Sequence, residues 1–97
     1  MLSIEALFRL DGEVAFVTGA GGGLGRIAAL ALASAGARVA VTDIDRDAAE
    51  TVASEIEVAG GTAMANQLDV ADRSQVIEVI DRAAAELGGL HVLVNNA

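Results

Sequence analysis

The sequence is informative first through the residues that it lacks: its 97 residues include no cysteine, lysine, tyrosine, tryptophan or proline. Without cysteine, the chain can form no disulfide, no thiolate metal site and no cysteine nucleophile. Without lysine, it cannot contain the Gly-x-x-x-x-Gly-Lys loop with which many nucleoside triphosphatases bind phosphate. We therefore predict no metal site, and the lack of cysteine agrees with the cytoplasmic location that we expect.

The charge and the distribution of apolar residues argue against two further classes of partner. The formal net charge is −8, and the six arginines are spread along the chain, so we expect no nucleic-acid surface. No run of about eighteen apolar residues is present, so we expect no membrane-spanning helix. Glu5 and Arg9 interrupt the first segment, which does not resemble a secretory signal. Leu7, Phe8 and Leu10 of this segment are expected to pack on the core.

Apolar residues make up 54% of the chain and occur in blocks that alternate between strand-like and helical patterns. The predicted strands are Val14–Thr18, Arg38–Thr42, Thr62–Leu68 and Leu90–Val94, and the predicted helices are Gly23–Ala35, Asp45–Ala59 and a third that opens at Asp72 with a capping pattern. Such alternation predicts an α/β fold, a Rossmann-like parallel sheet with strand order 3-2-1-4. Residues 1–97 are interpreted as one partial domain without a second.

The stretch between the first strand and the first helix carries the strongest functional signal. It runs from Thr18 to Gly25 and fits the pattern Thr-Gly-x-x-x-Gly-x-Gly, not Gly-x-Gly-x-x-Gly. Glycines let the backbone approach an anion, and the free N–H groups and the dipole at the helix start then face it. The turn is predicted to hold a pyrophosphate, and its predicted nucleotide-binding residues are Gly19, Gly22, Gly23, Leu24 and Gly25.

This glycine spacing resembles the cofactor fingerprint of the short-chain dehydrogenase/reductase family. Asn95-Asn96-Ala97, after an apolar strand, resembles the Asn-Asn-Ala-Gly motif of the same family, cut off before its glycine. The resemblance covers essentially the whole chain but only the first half of the family pattern. It implies the dinucleotide-binding part of an enzyme that transfers hydride between a nicotinamide and a carbonyl or secondary alcohol. The full-length parent is expected to be a homo-oligomer.

The resemblance implies that the residue that selects between NAD and NADP lies at the end of the second strand. Asp43 would accept hydrogen bonds from the adenosine ribose hydroxyls and repel a 2′-phosphate. Family members that prefer NADP, which carries the 2′-phosphate, often have a basic residue near this aspartate or in the glycine turn. In this sequence the corresponding positions are Ile44 and Gly22, and neither is basic. We therefore predict NAD rather than NADP. The alternative is that Asp43 is an ordinary charge beside Asp45 at a helix start.

Two other strand ends are assigned to the adenosine side of the cofactor by the same resemblance. Asp69 and Val70 would line the adenine pocket. The alternative is that they form a turn at the end of the strand, with Asp69 or Asp72 as the cap of the next helix. Asn95 would be mainly structural, and Asn96 would lie near the adenosine. Asparagine suits such positions because its amide both donates and accepts hydrogen bonds.

The catalytic residues of the family are missing. Its members use a tyrosine, a lysine four residues further on and a serine, whereas this sequence has neither of the first two and no serine at the matching position. No catalytic residue is assigned, and the 97-residue chain, interpreted as a fragment, is predicted to be inactive by itself. His91, where the family usually has aspartate, is assigned no role.

Two other classes of function stay open. The run from Gly19 to Gly23 also fits the Gly-x-Gly-x-Gly turn of S-adenosylmethionine-dependent methyltransferases. Against that class, Val17-Thr18 replaces the acidic residue that those enzymes usually carry before the glycines. The third interpretation is a non-catalytic module that binds a nucleotide without turning it over.

Overall fold

The computed structural model describes residues 9–96, in which strands and helices alternate. The elements are β1 (Val14–Thr18), α1 (Gly23–Ser34), β2 (Arg38–Asp43), α2 (Arg46–Val58), β3 (Thr62–Gln67), α3 (Arg73–Leu87) and β4 (Val92–Asn95). Leu7, Phe8 and Ala97 lie outside the described residues. Leu10 packs against the core, as expected.

The strands form one parallel sheet in the order β3-β2-β1-β4, which confirms the predicted topology. The register aligns Val17 of β1 with Val41 on one side and Val94 on the other. β1 is buried along its whole length. This burial on both faces explains why its sequence is a nearly continuous apolar run rather than an alternating one.

Two apolar clusters hold the helices against the sheet. The first joins α1 and α2 to one face and includes Val17, Val39, Ala29, Val52 and Ile56. The second joins α3 to the other face and includes Phe16, Leu68, Val79, Ala83 and Leu87. Because successive side chains of a strand point to opposite faces, Val17 belongs to the first cluster and Phe16 to the second. Each buried valine, leucine, isoleucine or phenylalanine side chain in these clusters stabilises the fold by about 1.5–3 kcal/mol.

Aspartate side chains cap the second and third helices. α2 begins one residue later than predicted because Asp45 is its N-cap, and Asp45 Oδ1 accepts a hydrogen bond from Ala48 N at 3.1 Å. Asp72 caps α3 in the same way, accepting from Gln75 N at 3.1 Å. The Gln75 side chain does not return to Asp72, as a reciprocal capping box would require. Its Oε1 atom instead accepts from Asp69 N.

β4 begins two residues later than predicted, because Gly88 and Gly89 turn the chain with φ angles of +94° and +142°. His91 N then donates to Val14 O at 2.9 Å, and His91 Nδ1 accepts from Val14 N at 2.8 Å. Glu13 Oε2 lies 3.3 Å from the same Nδ1 atom. His91 therefore has a structural role at the start of β1 that was not predicted.

β4 and β3 are the two edges of the sheet. Leu93 of β4 is 59% exposed, whereas Val92 and Val94 on its opposite face are half-buried against the first cluster. One face of β4 is thus less covered than the fully buried β1. Within residues 9–96, none of the helices is long and apolar enough to cross a membrane.

Candidate functional site

The carboxyl ends of the parallel strands meet at one edge of the sheet, and the predicted site residues lie at this edge. The strand register pairs Thr18 with Asn95 and Asp43 with Gln67. In open parallel sheets, ligands bind outside the carboxyl ends of the strands, where the strand order reverses. In this sheet the reversal lies between β1 and β4.

The glycine turn joins β1 to α1 through a backbone path that other residues would not follow. Gly19 and Gly23 have φ angles of +60° and +55°, in the left-handed region that favours glycine. Gly25 is needed for a different reason, because a Cβ atom there would lie 2.0 Å from the carbonyl oxygen of Gly19. Above the turn there is open space: a Cβ atom added to Gly22 or Gly23 would meet no atom within 4 Å.

The amino terminus of α1 differs from those of the other two helices. Its N-cap is Gly22, and among the described residues no side chain caps it, whereas Asp45 and Asp72 cap α2 and α3. The first N–H groups of a helix have no acceptor within the helix. Those of Gly23 and Leu24 therefore face the turn, where the helix dipole adds a positive charge of about half a unit.

The Asp43 carboxylate lies beside this turn, at the end of β2. Its Oδ2 atom accepts a hydrogen bond from Gly21 N at 2.9 Å, and its Oδ1 atom accepts from Asp45 N at 2.9 Å. A carboxylate can accept about four hydrogen bonds, so about two acceptor positions remain. The next residue, Ile44, is 64% exposed. Asp43 therefore forms hydrogen bonds both with the glycine turn and with the backbone just before α2.

Asp69 and Val70 follow β3 at the same edge of the sheet. Asp69 Oδ1 accepts from Ala71 N at 2.9 Å, so this carboxylate closes a turn, and the helix cap is Asp72. Val70 is 44% exposed. It lines a cleft of about 190 Å³ together with Phe16, Thr18, Leu68, Val76, Ile80, Leu93 and Asn95. A wider and more open depression, of about 600 Å³, lies on the outer face of α2 and contains none of the predicted site residues.

The Thr18 hydroxyl links the ends of β1 and β4, a contact that the sequence analysis did not assign. It accepts a hydrogen bond from Asn96 N at 3.0 Å and lies 3.2 Å from Asn95 Oδ1, to which it can donate its proton. Asn96 Nδ2 donates to Gly19 O at 3.3 Å. The asparagines therefore hold the start of the glycine turn in place. In the sequence, the signal for this contact is Thr18 itself, the first residue of the glycine pattern.

One ion pair joins the two helices beside the turn. Arg26 of α1 contacts Glu55 of α2, with 3.2 Å between Arg26 Nε and Glu55 Oε1. Hydrogen bonding to Arg26 lowers the pKa of Glu55, and hydrogen bonding to Glu55 raises the pKa of Arg26. Both side chains are partly exposed, so solvent screening keeps the contribution to stability small. Within residues 9–96, no three histidine or acidic side chains are grouped as metal ligands.

Comparison with known proteins identifies the family. The sequence model of the short chain dehydrogenase family matches residues 13–97, and the chain belongs to that family. The matched region contains the glycine turn and all the strands described above. The match does not favour the methyltransferase alternative.

Named relatives of the chain are dehydrogenases and reductases. The 7alpha-hydroxysteroid dehydrogenase of Escherichia coli (strain K12) is 45% identical over 89 residues, which are 92% of this chain and 35% of that enzyme. The D-threitol dehydrogenase of Mycolicibacterium smegmatis is 43% identical over 96 residues, which are 99% of this chain and 37% of that enzyme. The chain thus spans little more than a third of the length of these relatives.

Solved structures show the same fold at similar identity. A 7 alpha-hydroxysteroid dehydrogenase complexed with NADH and 7-oxo glycochenodeoxycholic acid superposes with a TM-score of 0.93 at 43% identity. This superposition covers 100% of the present chain and 38% of the solved one. A hydroxysteroid dehydrogenase from Escherichia coli gives a TM-score of 0.90 at 44% identity, over 93% of this chain and 38% of that structure.

Proposed function

We propose that this chain forms the NAD-binding part of an oxidoreductase that transfers hydride between a nicotinamide and a carbonyl or secondary alcohol. The observation that carries the proposal is the uncapped start of α1 beneath the glycine turn, with the Asp43 carboxylate beside it. In parallel α/β sheets, a helix start that binds phosphate and a carboxylate that binds ribose hold the adenosine diphosphate part of a dinucleotide.

The glycine turn fits a pyrophosphate. The N–H groups of Gly23 and Leu24 would donate to its oxygens, and the space above Gly22 and Gly23 is open, since an added Cβ atom would meet nothing within 4 Å. Gly19 and Gly25 would belong to the same cofactor-binding turn and also give it its shape, because their close contact brings the start of α1 against the end of β1.

The adenosine part fits the neighbouring strand ends. Asp43 keeps acceptor positions for the ribose hydroxyls beyond the two that the backbone uses. Val70 would pack against the adenine ring, and Asp69 would accept a hydrogen bond from the adenine amino group. Asn96 would lie at the adenosine side, next to its contact with the glycine turn.

Asp43 favours NAD over NADP by charge. Two like unit charges about 4 Å apart repel each other by about 4 kcal/mol at an effective dielectric constant of about 20. A 2′-phosphate would approach Asp43 as closely as the ribose hydroxyl that it replaces. Neither Ile44, which is 64% exposed, nor Gly22 carries a positive charge that would offset this repulsion.

The residues of this chain hold the dinucleotide, and the nicotinamide supplies or accepts the hydride when bound. The 97 residues include no tyrosine and no lysine, the pair that the family uses for proton transfer. We therefore expect that the chain by itself does not catalyse. We also expect it to bind NAD weakly, because it spans little more than a third of the relatives' length. The relatives are named for different compounds, a hydroxysteroid and D-threitol, so we propose only the class of substrate, a carbonyl compound or alcohol.

The test uses a completed protein, in which this chain is followed by the part of the Escherichia coli relative that lies beyond the match. Titration with NAD and NADP should show tighter binding of NAD by at least about tenfold. Asp43→Ser combined with Ile44→Arg should reverse this order, because it replaces a repulsive charge by an attractive one. The completed protein should reduce NAD with a secondary alcohol, and the 97-residue chain should not.

The matched control is Asp47→Ser combined with Val58→Arg. It makes the same change in charge at two positions of α2 that are exposed and line the outer depression. The control should keep the preference for NAD. Equal affinities for the two dinucleotides in the unsubstituted protein would contradict the role of Asp43. NAD reduction by the purified 97-residue chain would contradict the assignment of proton transfer to residues outside it.

A further inference from the structure

Two successive N–H groups of the glycine turn are bonded to two successive residues at the end of β2. Ala20 N donates to Thr42 O at 2.9 Å, and Gly21 N donates to Asp43 Oδ2 at 2.9 Å. The first bond uses a backbone carbonyl, which any residue supplies. The second uses the side chain of Asp43, so the conformation of the turn depends on the identity of that residue.

The same part of the turn is packed tightly against α2. A Cβ atom at Gly21 would lie 2.6 Å from Ala48 Cβ and 2.9 Å from Asp43 Oδ2. The other carboxylate oxygen of Asp43 accepts from Asp45 N at 2.9 Å, at the start of α2. The carboxylate is therefore fixed between the glycine turn and the second helix, and each of its oxygens bonds one of them.

We propose that Asp43 is a positioning residue for the glycine turn, in addition to the ribose contact that the proposed function gives it. Its bond to Gly21 holds the turn in the shape that receives a pyrophosphate, whether or not a ribose hydroxyl is present. The two roles are compatible because a carboxylate has more acceptor positions than the backbone occupies here. Substitution of Asp43 should therefore weaken binding of ligands that have no ribose hydroxyl for it to contact.

The first experiment needs no ligand. Amide hydrogen exchange of the completed protein, followed by NMR, should show that Asp43→Ala accelerates exchange of Gly21 N–H by about tenfold, because the amide loses its acceptor. Asp43→Asn, which keeps the size of the side chain but only one of its two acceptor oxygens, should act in the same direction and more weakly. The control is Asp47→Ala, which removes an exposed acidic side chain of α2. Unchanged exchange of Gly21 in both Asp43 variants would overturn the proposal.

The second experiment separates positioning from recognition. ADP and 2′,3′-dideoxy-ADP are titrated into the completed protein, its Asp43→Ala variant and the Asp47→Ala control. If Asp43 positions the turn, Asp43→Ala weakens binding of the dideoxy compound by at least about fivefold at a temperature well below the unfolding midpoints of both proteins. If Asp43 contacts only the ribose, the variant weakens binding of ADP alone, and the proposal is wrong. Absence of ADP and NAD binding by the unsubstituted protein would contradict the proposed function, and the exchange experiment would still decide on the positioning role.

Discussion

Gly25 lies where the first turn of α1 passes the end of β1, and its replacement by alanine tests how closely these two segments must approach. The added Cβ atom would lie 2.0 Å from Gly19 O, 2.7 Å from Gly19 C and 2.8 Å from Asn96 Nδ2. Ordinary contacts of a Cβ atom lie at 3.4–4 Å. Since two of the three atoms belong to the backbone, rotation of a side chain cannot relieve the overlap.

The expected cost follows from the way in which the structure can respond. Overpacking of this kind typically destabilises a fold by about 1–3 kcal/mol. Because the overlap is with backbone atoms, the cost should lie in the upper part of this range, at about 2–3 kcal/mol. Alanine recovers up to about 1 kcal/mol of helix propensity relative to glycine, so the net loss should be about 1–2 kcal/mol. In a protein of the relatives' size, this loss lowers the unfolding midpoint by about 2–8 °C. Displacement of the turn should also weaken NAD binding by about tenfold or more.

Thermal unfolding and NAD titration of the completed protein measure the two effects of Gly25→Ala. The control for stability is Gly22→Ala, since Gly22 has an extended backbone with φ of −172° and an added Cβ atom would meet nothing within 4 Å. Its unfolding midpoint should fall less than that of Gly25→Ala, because an alanine at an N-cap is unfavourable but meets no steric overlap here. If Gly25→Ala unfolds and binds NAD like the unsubstituted protein, the close contact between the turn and β1 is not required.

Two further predictions concern stability. His91→Leu leaves Val14 N without its side-chain acceptor and should lower the free energy of unfolding by about 1–3 kcal/mol. His91→Asp keeps an acceptor and should cost less. Thermal unfolding of both variants measures the difference, and equal losses would exclude the role of His91 as an acceptor for Val14 N. The pKa of Glu55 is lowered in the folded chain by hydrogen bonding to Arg26, so its stabilising effect is present above the ordinary carboxyl value of 4.5 and is lost as the pH falls through the folded value. The difference in unfolding midpoint between the unsubstituted protein and Glu55→Gln should therefore be constant near neutral pH and vanish in acid; a difference that persists in acid would point to packing rather than charge.

The order of elements and the sheet topology were determined by the sequence alone. The alternation of apolar strand blocks with amphipathic helices leaves few ways to bury both faces of a parallel sheet, and right-handed crossovers reduce them further. The glycine turn and the cap at Asp72 were also predicted, whereas Asp45 was placed inside the second helix rather than at its cap. Such signals are local, because they depend on which backbone angles and hydrogen bonds a residue allows within a few positions.

Contacts between strand ends were decided only by the tertiary structure. The bond from Gly21 to Asp43 joins residues 22 positions apart, and the contacts of Thr18 with Asn95 and Asn96 span 77 and 78 positions. No pattern within one segment encodes such pairs, since they depend on the register of neighbouring strands.

The role of His91 has the same origin. A histidine at a strand start gives no local sign that its ring will accept the N–H of Val14, 77 positions earlier. The sequence therefore determined which residues lie at the carboxyl edge of the sheet. The packing of β2 and β4 on either side of β1 decided which atoms of those residues meet, because each bond requires two distant segments to be brought within about 3 Å of each other.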